Sequence, residues 1–253
     1  MYHRSARARE LAERAPARHA VTVTDKSKPE VRIDLAATVI ILRTARERLE
    51  VLLMRRSSKL AFHGGAWVFP GGKVDAADAQ AASDPDDGLS TARHAAVRET
   101  QEEAGLTVDA ARLVVVSHWT TPLGRPRRFS TWFFAVDVES AAEVVVDGGE
   151  IREHRWMRPA DALAARARGE LELPAPTFVT LSLLQDFASA EDALAYYRAH
   201  EPPTYLPKLH LHPDGELTLY HGDAAYEEGD LERVGPRHRL HMLRSGWRYE
   251  RSG

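Results

Sequence analysis

The sequence predicts an α/β protein, in which short buried strands are interleaved with helices. Aliphatic runs at 35–42 and 51–54 have the length and composition of buried strands. A helix is predicted to end at Gly105, because glycine readily adopts the left-handed conformation that closes a helix. Near the C-terminus, alternating apolar residues on both sides of Pro213-Asp-Gly215 predict a β-hairpin.

The composition is that of an ordinary globular protein. The 253 residues include 43% hydrophobic and 28% charged side chains, which argues against extensive disorder. A net charge of −3 argues against a dedicated nucleic-acid-binding protein, which normally carries a basic excess. The absence of cysteine excludes a disulfide scaffold, a thiol nucleophile and a cysteine-ligated zinc site. No apolar segment reaches the roughly 18 to 20 residues that cross a bilayer, so we expect no membrane span and a cytoplasmic protein.

Other elements are predicted in chain order from the same patterns. The small, acidic segment 76–88 is predicted to be a loop, and Ser90 or Thr91 to cap the helix that follows. The Pro202-Pro203 pair interrupts a later helical pattern and begins a β-rich C-terminal segment. Further strands are expected at 113–119, 129–138 and 151–157, helices at 159–168, 177–187 and 190–200, and one last strand within 239–249.

Three glutamates of the predicted helix form the most informative pattern in the sequence. Glu99, Glu102 and Glu103 are spaced i, i+3 and i+4, so their carboxylates project from one helical face. A divalent cation relieves their mutual repulsion, and carboxylate oxygens suit Mg²⁺ or Mn²⁺. Arg98 precedes Glu102 by four residues and is placed to orient or partly neutralise the cluster. The alternative for an isolated cluster of this kind is the solvated face of an amphipathic helix.

The segment from Arg98 to Leu106 resembles the second half of the Nudix box, the signature of a hydrolase family. The family pattern is Gly, five residues, Glu, seven residues, then Arg-Glu-hydrophobic-x-Glu-Glu-x-Gly-hydrophobic, and within the second half only Thr100 departs from it. Gly72 and Arg98 lie 26 positions apart where the pattern has fourteen, which indicates an insertion of about twelve residues within 76–87. Counting back eight positions from Arg98 puts Ser90 where the first glutamate of the pattern stands.

This resemblance implies a Nudix-type α/β/α sandwich with a mixed sheet, extended at the C-terminus by helices and a β-hairpin. It implies a Nudix domain over 31–200, while the strand pattern beyond it predicts a β-rich extension over 201–253 that serves as a lid, a cap or a homodimer contact. It also implies that the three glutamates bind Mg²⁺ or Mn²⁺ and that the partner is a small nucleotide substrate. Residues 1–30 are expected to be a polar, flexible tail, although their arginines also resemble a transit peptide.

The segment 52–72, just before the box, resembles a signature of coenzyme A diphosphatases within the Nudix family. Its matching positions include Arg56 and His63, ahead of a Phe-Pro-Gly-Gly run that ends in Gly71 and Gly72. Arg56 is predicted to clamp a phosphate, because a guanidinium binds phosphate oxygens at two points. His63 is predicted to bond a phosphate or to assist proton transfer. The two glycines are predicted to line the substrate site.

Segments 119–122 and 128–134, after the box, resemble a Nudix branch with interrupted boxes that includes peroxisomal coenzyme A hydrolases of the animal type. Arg128 and the arginine before it are predicted to reach substrate phosphates. Phe129 or Trp119 is predicted to stack on adenine. The alternative is that the aromatic residues belong to the core and the arginines to a solvated loop.

The two stretches together predict hydrolysis of coenzyme A or acyl-coenzyme A to adenosine 3′,5′-bisphosphate and (acyl-)4′-phosphopantetheine. Glu150 or Glu153 is predicted to supply a fourth metal ligand or the general base. The alternatives are a Nudix hydrolase of ADP-ribose, NADH or dinucleoside polyphosphates, and a non-catalytic nucleotide-binding regulator. Ser90 in the place of a glutamate is the feature that favours the regulator.

Overall fold

A computed structural model describes residues 32–59 and 64–252 of the chain. The predicted tail over 1–30 and the predicted phosphate-binding residue His63 therefore lie outside the described residues. None of the helices within the described ranges combines the length and apolarity required to span a bilayer.

A mixed eight-stranded sheet forms the centre of the fold, as predicted. Six strands follow the order β3-β2-β1-β6-β5-β8, while β4 pairs with β1 and β7 pairs with β2. The β1–β6 and β5–β8 pairs are parallel and the other pairs are antiparallel. The strands are β1 (Ile33–Ala45), β2 (Arg48–Arg56), β3 (Trp67–Val68), β4 (Gly71–Lys73), β5 (Val114–Thr120), β6 (Arg128–Asp137), β7 (Ile151–Met157) and β8 (Thr204–Tyr205).

Helices cover both faces of this sheet, which confirms the predicted α/β/α sandwich. Along β1, Val39 and Ile41 pack on the face that carries the helix over 88–104. Ile40 and Leu42 pack on the opposite face, which carries the three helices over 159–199. All four side chains are fully buried, which explains why the run is aliphatic without a break. The helices are α1 (Ala76–Ala81), α2 (Gly88–Ala104), α3 (Pro159–Ala167), α4 (Ala175–Leu184) and α5 (Ala190–Ala199).

The segment predicted as an acidic loop contains helix α1. The Asp75 carboxylate caps this helix by accepting bonds from the Ala77 and Asp78 backbones, and Asp78 bonds back to the Asp75 backbone. This reciprocal capping box satisfies backbone donors that would otherwise be open at the start of so short a helix. Helix α2 begins earlier than predicted, because Asp87 rather than Ser90 or Thr91 caps it.

A second, antiparallel sheet follows the helices in the chain. It consists of β9 (Lys208–His212), β10 (Gly215–Leu219), β11 (Arg237–Leu243) and β12 (Gly246–Ser252). The prediction of a single strand within 239–249 is wrong, since the chain reverses through the two residues before Gly246 and returns as a second strand. Glycine permits that reversal because its φ of 142° there is unfavourable for other residues.

The second sheet contributes to the core on the α3–α5 side of the main sheet. Tyr220 and Leu240 belong to the same buried cluster as Trp119 and Tyr205 of the main sheet. The Tyr205 ring stacks on Trp119 with a 3.9 Å separation between ring centroids. The β-hairpin predicted for the C-terminal extension is confirmed, while the predicted boundary near residue 200 stays a prediction.

Candidate active site

One cavity of about 1070 Å³ brings together most of the residues singled out from the sequence. It lies beside the N-terminal half of β1, between the start of β4 and the start of β6. Of the predicted site residues, ten line it: Arg56, Gly71, Gly72, Glu99, Glu102, Glu103, Arg127, Arg128, Phe129 and Glu150. Arg98 is not part of the lining and instead contacts two of the glutamates from the side.

The three glutamates enter the cavity from one face of α2, as their spacing predicts. In its preceding turns the same helical face is apolar and is buried in the core through Ala92, Ala95 and Ala96, whose small side chains allow close packing on the sheet. Gly105 ends the helix in the left-handed conformation, with φ of 68°. The helix is therefore anchored by its buried N-terminal turns, and the carboxylates of its last turns are held at the cavity wall.

The glycine pair at the start of β4 allows the backbone to approach these carboxylates. Gly71 donates its backbone N–H to Oε2 of Glu103 at 2.9 Å. A Cβ atom on Gly72 would collide with the carboxylate of Glu99. Glycine at this position therefore leaves the space in which the Glu99 carboxylate lies.

Arg98 is the centre of an ion-pair network beneath the glutamates. Its Nη1 donates to Glu99 Oε1 at 2.8 Å and to Glu102 Oε2 at 3.0 Å. Its other nitrogens bond both carboxylate oxygens of Asp78, at 3.1 and 2.9 Å. The hydrogen bond with Asp78, followed by those with Glu99, raises the pKa of Arg98. One permanently charged guanidinium thus offsets the repulsion that three neighbouring carboxylates would otherwise cause.

Asp78 corrects the assignment of Ser90 to the first glutamate of the Nudix box. Five residues separate Gly72 from Asp78, which is the spacing that the family pattern requires. The Asp78 carboxylate is 4% exposed and pairs with Arg98, whereas the Ser90 hydroxyl is near only that of Ser83, at 3.2 Å. The insertion therefore follows this acidic position instead of preceding it. Counting forward from Gly72 by the family spacing finds Asp78. Counting back from Arg98 reaches Ser90 instead, because the insertion lies between Asp78 and Arg98.

Burial changes the proton affinity of two of the glutamates. Burial raises the pKa of Glu103 to about 7, against the opposing effect of the Gly71 N–H bond and with a smaller contribution from the nearby Glu99 charge. Burial also raises the pKa of Glu99, although the hydrogen bond from Arg98 lowers it in part. Such shifts are common where carboxylates are gathered for function, because a buried charge without a counter-ion is unfavourable.

These carboxylates fit a hard divalent cation by their chemistry. Glu99, Glu102 and Glu103 offer oxygen ligands on one wall of an open cavity, which is the type of donor that Mg²⁺ and Mn²⁺ prefer. Within 32–59 and 64–252, no three acidic or histidine side chains already form a metal-ligand cluster, and Arg98 and the Gly71 N–H hold several of the glutamate oxygens in hydrogen bonds. Cation binding would therefore require part of this hydrogen bonding to rearrange.

Arg56 and Glu150 form a second charged pair on the cavity wall. Arg56 Nη2 lies 3.4 Å from Glu150 Oε2, and the buried Arg56 Nε has no hydrogen-bond partner in the described part of the chain. Asp147, which the sequence did not single out, also lines the cavity and accepts the Glu150 backbone N–H at 2.9 Å. The weak pairing leaves Arg56 available for an anionic ligand.

Glu150 and Glu153 were equivalent candidates from the sequence, and the structure separates them. Glu150 lines the cavity. Glu153 lies on β7 outside the lining and pairs with Arg155 at 2.7 Å and with Arg55 at 3.6 Å. Only Glu150 is therefore placed to act on a bound substrate.

The end of the β5–β6 loop and the start of β6 supply the opposite end of the cavity. Arg127, Arg128 and Phe129 all line it. Trp119 does not line it, because it is 5% exposed and its ring stacks on Tyr205 in the buried core, and the prediction that it could stack on adenine is wrong. Of the two aromatic candidates, Phe129 is the one that the cavity can present to a ligand.

Comparison with known proteins matches the NUDIX domain family to residues 33–175, more than half of the chain. The chain belongs to the Nudix family. This Nudix protein is 26% identical to a NUDIX hydrolase from Alicyclobacillus acidocaldarius, whose crystal structure superposes with a TM-score of 0.59. That match covers 66% of this chain and 97% of the other. Family membership and this likeness identify the protein as a Nudix hydrolase, an enzyme that acts on phosphoanhydrides.

Curated relatives of this Nudix hydrolase include acyl-coenzyme A diphosphatases. It is 24% identical to putative nudix hydrolase 7 of Caenorhabditis elegans, over 78% of this chain and 76% of that protein. It is 34% identical to the human acyl-coenzyme A diphosphatase NUDT19 over 117 residues, which are 44% of this chain and 31% of the human protein. The Xenopus laevis protein of the same name is 24% identical over 71% of this chain and 72% of its own length. The match to the human relative thus spans less than a third of that protein.

Proposed function

We propose that this Nudix hydrolase cleaves the diphosphate of coenzyme A or acyl-coenzyme A. The products would be adenosine 3′,5′-bisphosphate and (acyl-)4′-phosphopantetheine. The observation that carries the proposal is that one cavity is lined by Glu99, Glu102 and Glu103, by Arg56, and by the Arg127–Arg128 pair. A substrate with a diphosphate and a further phosphate has charges for Arg56 and for this pair.

The names of the relatives support this substrate over other diphosphates. Both NUDT19 proteins cited above are called acyl-coenzyme A diphosphatases. The motif that contains Arg56, which resembles the coenzyme A diphosphatase signature, contributes this arginine to the wall beside Glu150. Its planar guanidinium suits bidentate binding of a diphosphate oxygen pair.

The reaction is a substitution at phosphorus by water. The water oxygen forms a new bond to one phosphorus, the bridging P–O bond breaks, and the bridging oxygen leaves with the other phosphate. Glu150 is the candidate to accept the proton from water, because it lines the cavity next to the arginine that would bind the diphosphate. Arg56 would offset the negative charge that accumulates on the phosphate oxygens in the transition state.

The three glutamates of α2 would hold Mg²⁺ or Mn²⁺. When bound, such a cation neutralises diphosphate charge and lowers the pKa of water, which favours attack at neutral pH. Arg98 and the Gly71 N–H keep the carboxylates oriented towards the cavity before substrate arrives. Asp78 in turn holds Arg98 in place.

The competing class is a non-catalytic nucleotide-binding regulator, and its main argument is lost. It rested on the missing glutamate at Ser90, but the Asp78 carboxylate pairs with Arg98 at the spacing that the family pattern requires. ADP-ribose, NADH and dinucleoside polyphosphates remain the alternative substrates within the family.

A substrate panel tests the proposal. The purified protein would be assayed with Mg²⁺ and with Mn²⁺ on coenzyme A, an acyl-coenzyme A, ADP-ribose, NADH and a dinucleoside polyphosphate, with products identified by mass. We expect the highest kcat/KM for the coenzyme A compounds, with release of adenosine 3′,5′-bisphosphate. A higher kcat/KM on ADP-ribose or NADH, with only trace activity on coenzyme A, would contradict the proposal.

A further inference from the structure

The cavity has a cationic end whose charges are not paired with carboxylates of the described residues. Five basic residues line the cavity, and two of them, Arg127 and Arg128, form no ion pair with any residue in the described ranges. The other three are paired with carboxylates: Arg56 with Glu150, and Arg32 and Lys73 with Asp34. An anion that enters the cavity therefore meets its least neutralised cations in the β5–β6 loop.

Backbone contacts fix the position from which these two arginines extend. Thr121 and Phe129 pair across the loop, with the Thr121 N–H donating to the Phe129 carbonyl at 2.9 Å and the Phe129 N–H to the Thr121 hydroxyl at 3.0 Å. Arg128 Nε donates to the Thr121 carbonyl at 3.1 Å. This bond orients the Arg128 side chain, while its two terminal nitrogens have no hydrogen bond to the described residues. A cation held in this way loses little side-chain entropy when it binds an anion.

The cationic end starts some distance along β1 from the glycine that contacts the glutamates, and a nucleotide is long enough to span that distance. Along β1, Gly71 pairs with Thr38 and Arg128 pairs with Ile33. These five residues correspond to about 16 Å at roughly 3.3 Å per residue. The two arginines thus extend from backbone positions well separated from Gly71, which contacts Glu103, and this separation suits a second phosphate across a ribose.

We propose that Arg127 and Arg128 form a subsite for the 3′-phosphate of the nucleotide and so select coenzyme A over dephospho-coenzyme A. This inference rests on the proposed function, because it assigns the second charged group of the proposed substrate. The 3′-phosphate is an exposed dianion at the adenosine end of coenzyme A, and uncompensated guanidinium groups bind such an anion without first breaking an internal ion pair.

The test compares Arg127→Ala and Arg128→Ala with wild type on coenzyme A and on dephospho-coenzyme A. Arg125→Ala is the matched control, since Arg125 lies in the same loop and carries the same charge but pairs with Glu216 at 3.5 Å outside the cavity lining. We expect each subsite variant to lower kcat/KM for coenzyme A by roughly 10- to 100-fold, mainly through KM, the range of a charge-assisted hydrogen bond. Activity on dephospho-coenzyme A should change less than threefold, and the control should resemble wild type on both.

Equal losses on both nucleotides, or the same loss in the Arg125→Ala control, would overturn the subsite. A wild-type protein that cleaves neither nucleotide would overturn the proposed function, yet the subsite remains testable by calorimetry with adenosine 3′,5′-bisphosphate and AMP. Tighter binding of the bisphosphate by wild type, lost in Arg127→Ala and Arg128→Ala but kept in Arg125→Ala, would support the subsite independently. Equal affinity of wild type for the two ligands would exclude it.

Discussion

Asp78 and Arg98 form a two-point ion pair across the insertion that interrupts the Nudix box. Arg98 Nε lies 3.1 Å from Asp78 Oδ1, and Nη2 lies 2.9 Å from Oδ2. The same Asp78 carboxylate closes the capping box of α1 by accepting the Asp75 backbone N–H. Helix α1, which contains Asp78, and the glutamates of α2 are therefore connected through one guanidinium.

We predict that Asp78→Asn weakens both the fold and the enzyme. The amide cannot balance the Arg98 charge, so we expect a loss of about 1–3 kcal/mol in the free energy of unfolding. We also expect kcat to fall by roughly 10- to 100-fold, as for other groups that orient ligands. Urea unfolding and steady-state kinetics measure the two effects. Asp78→Glu should keep more activity than Asp78→Asn, and Ser90→Ala should change neither stability nor activity. A large loss of activity in Ser90→Ala would instead support Ser90 as the residue at the first glutamate position of the box.

We predict that Glu99→Gln and Glu102→Gln each lower kcat by about 10²-fold or more, because each removes negative charge from the proposed cation site. The assay is turnover at saturating Mg²⁺ on the substrate that the panel selects. Glu153→Gln is the matched control, since that side chain lies outside the cavity lining and pairs with Arg155. Wild-type turnover by Glu102→Gln at saturating Mg²⁺ would refute the role of this face of α2.

We predict that Gly72→Ala reduces activity by displacing Glu99, because the added methyl group would occupy the space of the Glu99 carboxylate. The expected result is a clear loss of kcat with a smaller change in stability, measured by kinetics and urea unfolding. Gly88→Ala is the control at the start of α2, where the added Cβ would meet only Leu35 side-chain atoms at 3.7 Å. It should keep full activity. Full activity of Gly72→Ala would show that the Glu99 position in the structure is not the active one.

The pH dependence of stability should contain a contribution from Asp223 in the second sheet. Burial alone would raise the pKa of Asp223, but the hydrogen bonds from Arg239 and from the backbones of His238 and Ala225 lower it to about 2 from 3.8. Because the folded-state pKa is depressed, this stabilisation is fully present above about pH 4 and is lost as the pH falls towards 2.

Urea unfolding of wild type and Asp223→Asn between pH 2 and pH 6 measures this contribution. The variant leaves Arg239 buried without its counter-ion, and we expect a loss of about 3–5 kcal/mol near pH 6, which shrinks as the pH approaches 2. A difference between the two proteins that does not change with pH would contradict the assignment.

Sequence alone determined the features that depend on neighbours in the chain. The placement of Glu99, Glu102 and Glu103 on one face follows from helical geometry, and Gly105 ends the helix for a local reason. The aliphatic runs of β1 and β2 predicted buried strands because a strand covered on both faces carries apolar residues at every position. The Nudix resemblance, the α/β/α sandwich and the glutamates, glycine pair and three of the arginines that line the cavity followed from these patterns.

Only the tertiary structure decided which distant residues meet. Asp78 rather than Ser90 balances Arg98, because the insertion changes the spacing but not the end points of the loop. Trp119 lies in the core while Phe129 lines the cavity, although both project from the same face of the sheet, because Tyr205 and Tyr220 from distant parts of the chain cover Trp119. The cationic end of the cavity likewise depends on tertiary pairing. Because β6 pairs with β1 in parallel, its first residues lie beside the same strand that pairs with Gly71 of β4.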